Sequence, residues 1–282
     1  MKLGLAHYKL GMFFRKLQPE LCHRPTSLFH YKKSLHFLPV DDTNAKKCRF
    51  WLATFGNEAS DIDMDRCPKE YIVSIYSSFA NHFDNTLVKK LKYQTPDKLR
   101  DVVDQVRQRD QIQSTTNSIT LGADLGCGTG LSGVAFEGCV DEMYGIDLSK
   151  EMVDRASTRK CYKELFVGDL EDIFKLVDFH SYHLIIACDV FVYIGNLRSI
   201  FQSVHRSLCI KSGLFAFSTE CLEESSSTNP YLLHKCARFS HKMSYIESLA
   251  KDIGFTIRHI EKSIIRQNGG KDVIGNLVVM SH

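Results

Sequence analysis

The sequence predicts an α/β protein: a doubly wound, seven-stranded sheet with its last strand antiparallel, preceded by an α-helical N-terminal region. Three observations predict it. From residue 119 onward, short apolar runs alternate with helically periodic ones, as strands joined by crossover helices do. Composition shifts near the same residue: 14 of 17 glycines follow it, whereas Pro19, Pro25, Pro39, Pro68 and Pro96 all precede it. The last two apolar runs are separated only by Gln267-Asn268-Gly269-Gly270, a turn signal that pairs neighbours antiparallel.

Taken in order, residues 5–17 place apolar side chains at 5, 8, 10, 13, 14 and 17, an amphipathic helix. Residues 28–38 repeat the pattern with Leu28, Tyr31, Leu35 and Leu38, closed by Pro39, and a third periodic run covers Ala45–Ala53. Ile72, Ile75, Phe79, Phe83, Leu87 and Leu91 recur at spacings of three and four and predict a helix over 70–92. Thr95-Pro96 reads as an N-cap and first helical residue ahead of Leu99, Val102, Val103 and Val106. Residues 107–118 are polar and read as a linker. Strands are expected at 119–125, 142–147, 163–167, 182–188, 213–218, 255–265 and 276–281. Helices are expected at 130–137, 150–158, 170–176, 196–208 and 241–252. The domains expected are a helical appendage at 1–65, a helical lid and linker at 66–118, and a catalytic domain at 119–282.

The chain has 282 residues, of which 44% are apolar and 24% charged, which excludes wholesale disorder. No run approaches the roughly 18 uncharged apolar residues of a spanning helix, so no membrane partner is expected. The net charge of +3 hides an asymmetry: residues 1–40 hold seven Lys/Arg and one acid, a net +6, leaving −3 for the rest. That total is too mild to imply a nucleic-acid partner. Ten cysteines form no C-x-x-C pair, so a structural zinc site is not expected and free thiols in a reducing compartment are. The N-terminus lacks a secretory apolar core, which makes the cytoplasm the default location, with an organelle the alternative because the segment is basic and poor in acids.

The chemistry is expected at four strand ends. The first runs into Ala123-Asp124-Leu125-Gly126-Cys127-Gly128-Thr129-Gly130. Gly126 permits a tight turn, Gly128 lets backbone approach a ligand, and Gly130 lets strand and helix pack closely. The spacing is G-x-G-x-G, not the G-x-G-x-x-G of dinucleotide sites. With Asp124 able to accept from an ammonium group, the loop suits a ligand with an amino-acid end. Asp147 lies 17 residues after Gly130, at the tip of the next strand, where an acid can hold two ribose hydroxyls. Asp169 and Leu170 end the third strand, where an acid and an apolar residue suit an adenine. Asp189 ends the fourth, almost wholly apolar strand, at the edge where α/β sheets bind ligands.

Together these motifs resemble those of class I S-adenosylmethionine-dependent methyltransferases, over about residues 70–282. Asp124 to Gly130, Tyr144-Gly145-Ile146-Asp147, Gly168-Asp169-Leu170 and Cys188 to Gly195 carry the resemblance. The chain is most similar to the group with N-terminal tetratricopeptide repeats. Segments like Tyr76 to Asp84, Tyr93-Gln-Thr-Pro96, Asp189 to Gly195, Gly213 to Glu220 and Arg238 to His241 recur there. Leu10-Gly11, Tyr31, Ser34 and Pro39 fit one repeat, with about four residues too many between Gly11 and Tyr31, so the unit would be a single degenerate copy.

The resemblance implies a Rossmann-like fold with S-adenosyl-L-methionine as cofactor. Asp124, Gly126, Cys127, Gly128 and Gly130 would line its methionine end, Asp147 and Leu148 the ribose, and Asp169 and Leu170 the adenine. Tyr76 is the candidate lid residue. His241, Tyr193 and Asp189 are the candidate bases for an acceptor that arrives protonated, and Arg238 the candidate clamp on an acidic acceptor group. Ser225 to Pro230 is a candidate mobile lid. Cys188-Asp189-Val190-Phe191 has no proline, unlike the Asn/Asp-Pro-Pro-aromatic run of amide- and adenine-nitrogen methyltransferases. That type of amino-nitrogen transfer is therefore not expected. The expected methyl acceptor is a small or lipid-like molecule. A protein or RNA acceptor and a non-catalytic partner protein are the alternatives, and the N-terminal helices are the place for a protein partner.

Overall fold

The computed structural model describes residues 1–16, 24–55, 64–79, 92–112, 119–176 and 182–282. The chain divides into two compact units. One comprises Met1–Ile72 with Leu233–Arg238, and the other Val73–Leu232 with Phe239–His282.

In the first unit, α1 (Lys2–Lys16), α2 (Arg24–Phe37) and α3 (Thr43–Ala53) pack together. The α1–α2 approach depends on glycine: a Cβ on Gly11 would lie 2.7 Å from the Tyr31 ring, which is fully buried. Ser34, equally buried, donates to the Gly4 carbonyl at 2.9 Å. Asp42 caps α3 by accepting from the Asn44 and Ala45 amides. The expected helix over 70–92 is seen as α4 (Lys69–Phe79); residues 80–91 lie outside the described residues, and Lys92, at φ 48°, is not helical.

The second unit is the expected sheet. After α5 (Thr95–Arg109) come β1 (Leu121–Leu125), α6 (Leu131–Ala135), β2 (Glu142–Asp147), α7 (Lys150–Ala156) and β3 (Glu164–Val167). Then follow α8 (Ile173–Leu176), β4 (Leu184–Ala187), α9 (Arg198–Ser207), β5 (Leu214–Glu220), β6 (Tyr231–Leu233) and β7 (Phe239–His241). The chain ends with α10 (Met243–Ile253), β8 (Thr256–Asn268) and β9 (Lys271–Ser281). The order across the sheet is β3-β2-β1-β4-β5-β9-β8. The first five strands are mutually parallel, and β9 is antiparallel to both of its neighbours.

The period-two alternation of strand side chains divides the core between the two faces of the sheet. Ile185 and Ala187 of β4, with Phe215 and Phe217 of β5, pack with Phe201 and Val204 of α9 and Ile246 and Leu249 of α10. Leu184 and Ile186, with Leu214 and Ala216, pack with Leu99, Val102, Val103 and Val106 of α5. The parallel strands β1, β2, β4 and β5 are buried along almost their whole length, which explains the nearly unbroken apolar runs in the sequence, whereas β3 is a partly exposed edge strand.

Two expectations are corrected. Thr95 is the first helical residue rather than the cap, because its hydroxyl donates to the Ile265 carbonyl at 2.7 Å. The helix expected from 241 begins at Met243, and His241 lies on β7, half of a two-stranded sheet with β6. In the stretch Ser225 to Pro230, Lys242 donates its Nζ to the Ser227 carbonyl at 2.5 Å and its amide to that of Pro230 at 3.0 Å. The nine described cysteines are all free.

Candidate active site

The order of the strands reverses between β1 and β4, and ligands of doubly wound sheets bind in the crevice at such a point. The loop leaving β1 there is bent by three left-handed glycines, Gly126 at φ 73°, Gly128 at 52° and Gly130 at 86°. The amides of Gly126 and Cys127 both donate to the Ile146 carbonyl, which fastens the loop to β2. A Cβ on Gly126 would lie 2.6 Å from Val190, beyond β4, whereas one on Gly128 would meet nothing within 4 Å. Space therefore opens at the middle glycine only, where backbone is expected to meet a ligand. Cys127 is buried, and burial pushes its thiol well up, so it fills space as a neutral group.

Asp124 is fully buried under this loop. Its Oδ2 accepts from Ser132 at 2.5 Å and from Tyr162 at 2.6 Å, while Oδ1 meets no donor among the described residues. Burial raises its pKa to about 6, against the lowering effect of the two hydroxyls. A buried carboxylate oxygen left without a donor is costly, and the ammonium of an amino-acid-ended cofactor would relieve it. The residues fit S-adenosylmethionine on this count. Asp147 at the tip of β2 accepts from the Gly128 amide at 3.0 Å and the Ser149 amide at 2.8 Å. Burial raises its carboxyl, and these amides oppose the rise. It thus braces the glycine loop, and Leu148 beside it is half-buried.

Asp169 does what a helix-opening acid does: Oδ1 accepts from the Leu170 amide at 2.7 Å, and its own amide donates to Asp172. The Leu170 side chain belongs to the core on the α9 face of the sheet.

Past β4, Asp189 adopts φ 57°, unusual for a non-glycine residue. Its amide donates to the Ser218 hydroxyl at 2.8 Å, and its carboxylate accepts from the Arg266 guanidinium, which also bonds Glu220. Arg266 is 2% exposed and its two carboxylate partners are partly buried, so one buried cation is shared between two acids. The phenol of Tyr93 is raised well above its ordinary range, chiefly by burial, with Cys188 and Asp189 adding and Arg266 opposing. Tyr76 of α4 and Tyr193 meet hydroxyl to hydroxyl at 2.7 Å, their rings edge to face. Ser77 donates to Glu151 at the start of α7 at 2.7 Å, so α4 is held at both places.

His241 is fully buried, and its Nε2 donates to the Ile194 and Gly195 carbonyls at 2.8 and 3.1 Å. Burial lowers its pKa to about 4, so the ring is neutral near pH 7, with Nδ1 lacking a partner among the described residues. Arg238 is grouped with the helical unit. Among the described residues no His/Cys/Asp/Glu cluster suited to a metal occurs.

Sequence reasoning did not single out Ser132, Tyr162, Glu220 and Arg266. Ser132 and Tyr162 lie eight and 38 residues from their partner Asp124. Only strand order brings Arg266 to Asp189 across 77 residues.

This fold and crevice define a class I methyltransferase architecture. Residues 123–217 match the family described as "Methyltransferase domain". Magnesium protoporphyrin IX methyltransferase from Synechocystis PCC 6803 with bound SAH superposes with a TM-score of 0.55 at 12% identity, covering 75% of this chain and 98% of that one. The same enzyme with bound SAM gives 0.52 at 12% identity over 78% and 98%. A methyltransferase from Clostridium acetobutylicum gives 0.49 at 17% over 74% and 100%. At these identities the similarity is one of fold. No curated protein matches the sequence.

Proposed function

We propose that the protein transfers a methyl group from S-adenosyl-L-methionine to a small-molecule or lipid-like acceptor. When bound, the cofactor supplies a methyl group on a sulfonium sulfur. The observation that carries the reading is the bare, buried Oδ1 of Asp124 beneath the glycine loop. Asp124 takes the ammonium end, the backbone at Gly126, Cys127, Gly128 and Gly130 lines the methionine, and Asp147 with Leu148 holds the ribose. Asp169 and Leu170 border the adenine.

In-line methyl transfer asks mainly for alignment and exclusion of water. The Tyr76–Tyr193 contact supports an enclosed acceptor space, with α4 as its cover. A base is needed only for an acceptor that arrives protonated. Tyr193, Asp189 and the Nδ1 of neutral His241 are the proposed candidates. Arg266 positions Asp189 rather than acting on the acceptor. The close Gly11–Tyr31 packing supports a degenerate tetratricopeptide-like unit at the N-terminus, and the free thiols support the cytoplasm.

Asp147→Ala is expected to weaken S-adenosylmethionine binding roughly thirtyfold or more, since charged hydrogen bonds of this kind are worth about 2 kcal/mol. Unchanged affinity in calorimetric titration overturns the site. Labelled-methyl transfer into fractionated cell extract tests the acceptor. Label in the small-molecule or lipid fraction supports the reading, and label confined to protein or RNA overturns it. Bound cofactor with no transfer to any fraction favours a non-catalytic partner protein.

A further inference from the structure

Within the helical unit, α1 carries an exposed apolar stripe. Leu3, Ala6, Leu10 and Phe13, spaced three, four and three apart, share one helix face. Leu3 is 54% and Phe13 58% exposed. This is the reverse of a core-facing helix, whose apolar stripe is the buried one. Exposed Lys2 and Lys9, seven residues apart, form a row beside it.

On its other side the stripe passes through His7 to α2. The His7 ring stacks on Phe37 and lies edge-on to Phe29, and both phenylalanines are exposed. Lys33 reaches over the Phe29 ring at 5.8 Å. Phe29, Lys32, Lys33 and His36 line an open recess of about 300 Å³. Apolar side chains are thus bordered on both flanks by lysines, in a segment whose first 40 residues carry a net +6 and a single acid.

We propose that this face lies on an anionic lipid surface, the phenylalanines and leucines entering the headgroup boundary and the lysines pairing with lipid phosphates and carboxylates. Basic amphipathic helices bind membrane surfaces this way, by buried apolar area plus attraction to anionic lipids. No helix among the described residues is long and apolar enough to span a membrane, so the unit lies on the bilayer rather than crossing it. An acidic protein segment would answer the lysines alone. The apolar stripe asks in addition for a surface that accepts Leu10 and Phe13 on a helix's convex side, and a bilayer is such a surface. The inference is independent of the methyl acceptor.

The test uses the full chain in vesicle sedimentation, comparing phosphatidylcholine alone with vesicles holding about 30% phosphatidylserine. Binding to the anionic vesicles only, falling with salt, is expected. Replacing Lys9, Lys32 and Lys33 by Gln should weaken it roughly a hundredfold. Phe13→Ser with Phe29→Ser should abolish it, with the urea midpoint and cofactor affinity unchanged. Equal binding to neutral vesicles, no binding to either, or full binding by the double serine variant overturns the proposal. So does a concentration-dependent dimer that Phe13→Ser dissolves, because a second copy would then cover the face.

Discussion

At Asp124 burial outweighs the hydroxyls of Ser132 and Tyr162, and the carboxyl titrates near 6 rather than in the usual carboxylate range. Between about pH 4 and 6 the folded chain therefore holds a proton that the unfolded chain has released, and stability falls as pH rises, by about 3 kcal/mol in all. Raised Asp147 acts in the same direction. His241 acts in the opposite one. Its pKa is lowered to about 4, so the unfolded chain binds the extra proton between about 4 and 6.5, and stability rises with pH there. The components oppose each other in wild type, and substitution separates them. Relative to wild type, Asp124→Asn should gain about 3 kcal/mol in unfolding free energy between pH 4 and 6.5, read from urea titrations at fixed pH. Parallel curves would contradict the assignment. Cofactor affinity should rise as pH passes 6 in wild type, because an ammonium pairs with the ionised form, and the Asn variant should lose that dependence.

The glycine loop and strand β8 show what an element can and cannot disclose through its sequence. G-x-G-x-G is legible because each glycine answers a local backbone demand. Gly126→Ala meets both a φ of 73° and Val190 at 2.6 Å, whereas Gly138→Ala meets a φ of 77° and open space. The first should cost about 2–3 kcal/mol and the second about 1, by thermal or urea unfolding. Equal costs would mean that Val190 yields freely. Strand β8 was legible as a strand but not as a site. A register shift between Ile264 and Arg266 inserts an extra residue opposite β9, so Ile265 and Arg266 both turn inward. Simple alternation would send one of them to solvent, and an arginine would be the natural choice. Arg266→Met should cost about 2–3 kcal/mol, because the partly buried Asp189 and Glu220 lose their shared cation. Adding Glu220→Gln should restore part of it. A mild loss in the single variant would show the cluster to be hydrated.

At the scale of the whole molecule, the seven strands of the main sheet were legible because the buried parallel strands β1, β2, β4 and β5 leave apolar runs, and the reversed last strand was legible through the Asn268-Gly269-Gly270 turn before it. The three-residue strands β6 and β7 were not, since so short a run carries no period. Nor could any local pattern announce that Leu233–Arg238, a loop late in the chain, groups with the N-terminal helices. There Arg15 donates to the Lys235 carbonyl at 2.9 Å, the Cys67 thiol points to that of Ala237, and Ala237 itself sits at φ 65°. A domain joined by one linker can be gained, lost or exchanged by a single genetic event. This helical unit is threaded by two separate stretches of the chain, so a single break at residue 65 would leave its later stretch behind.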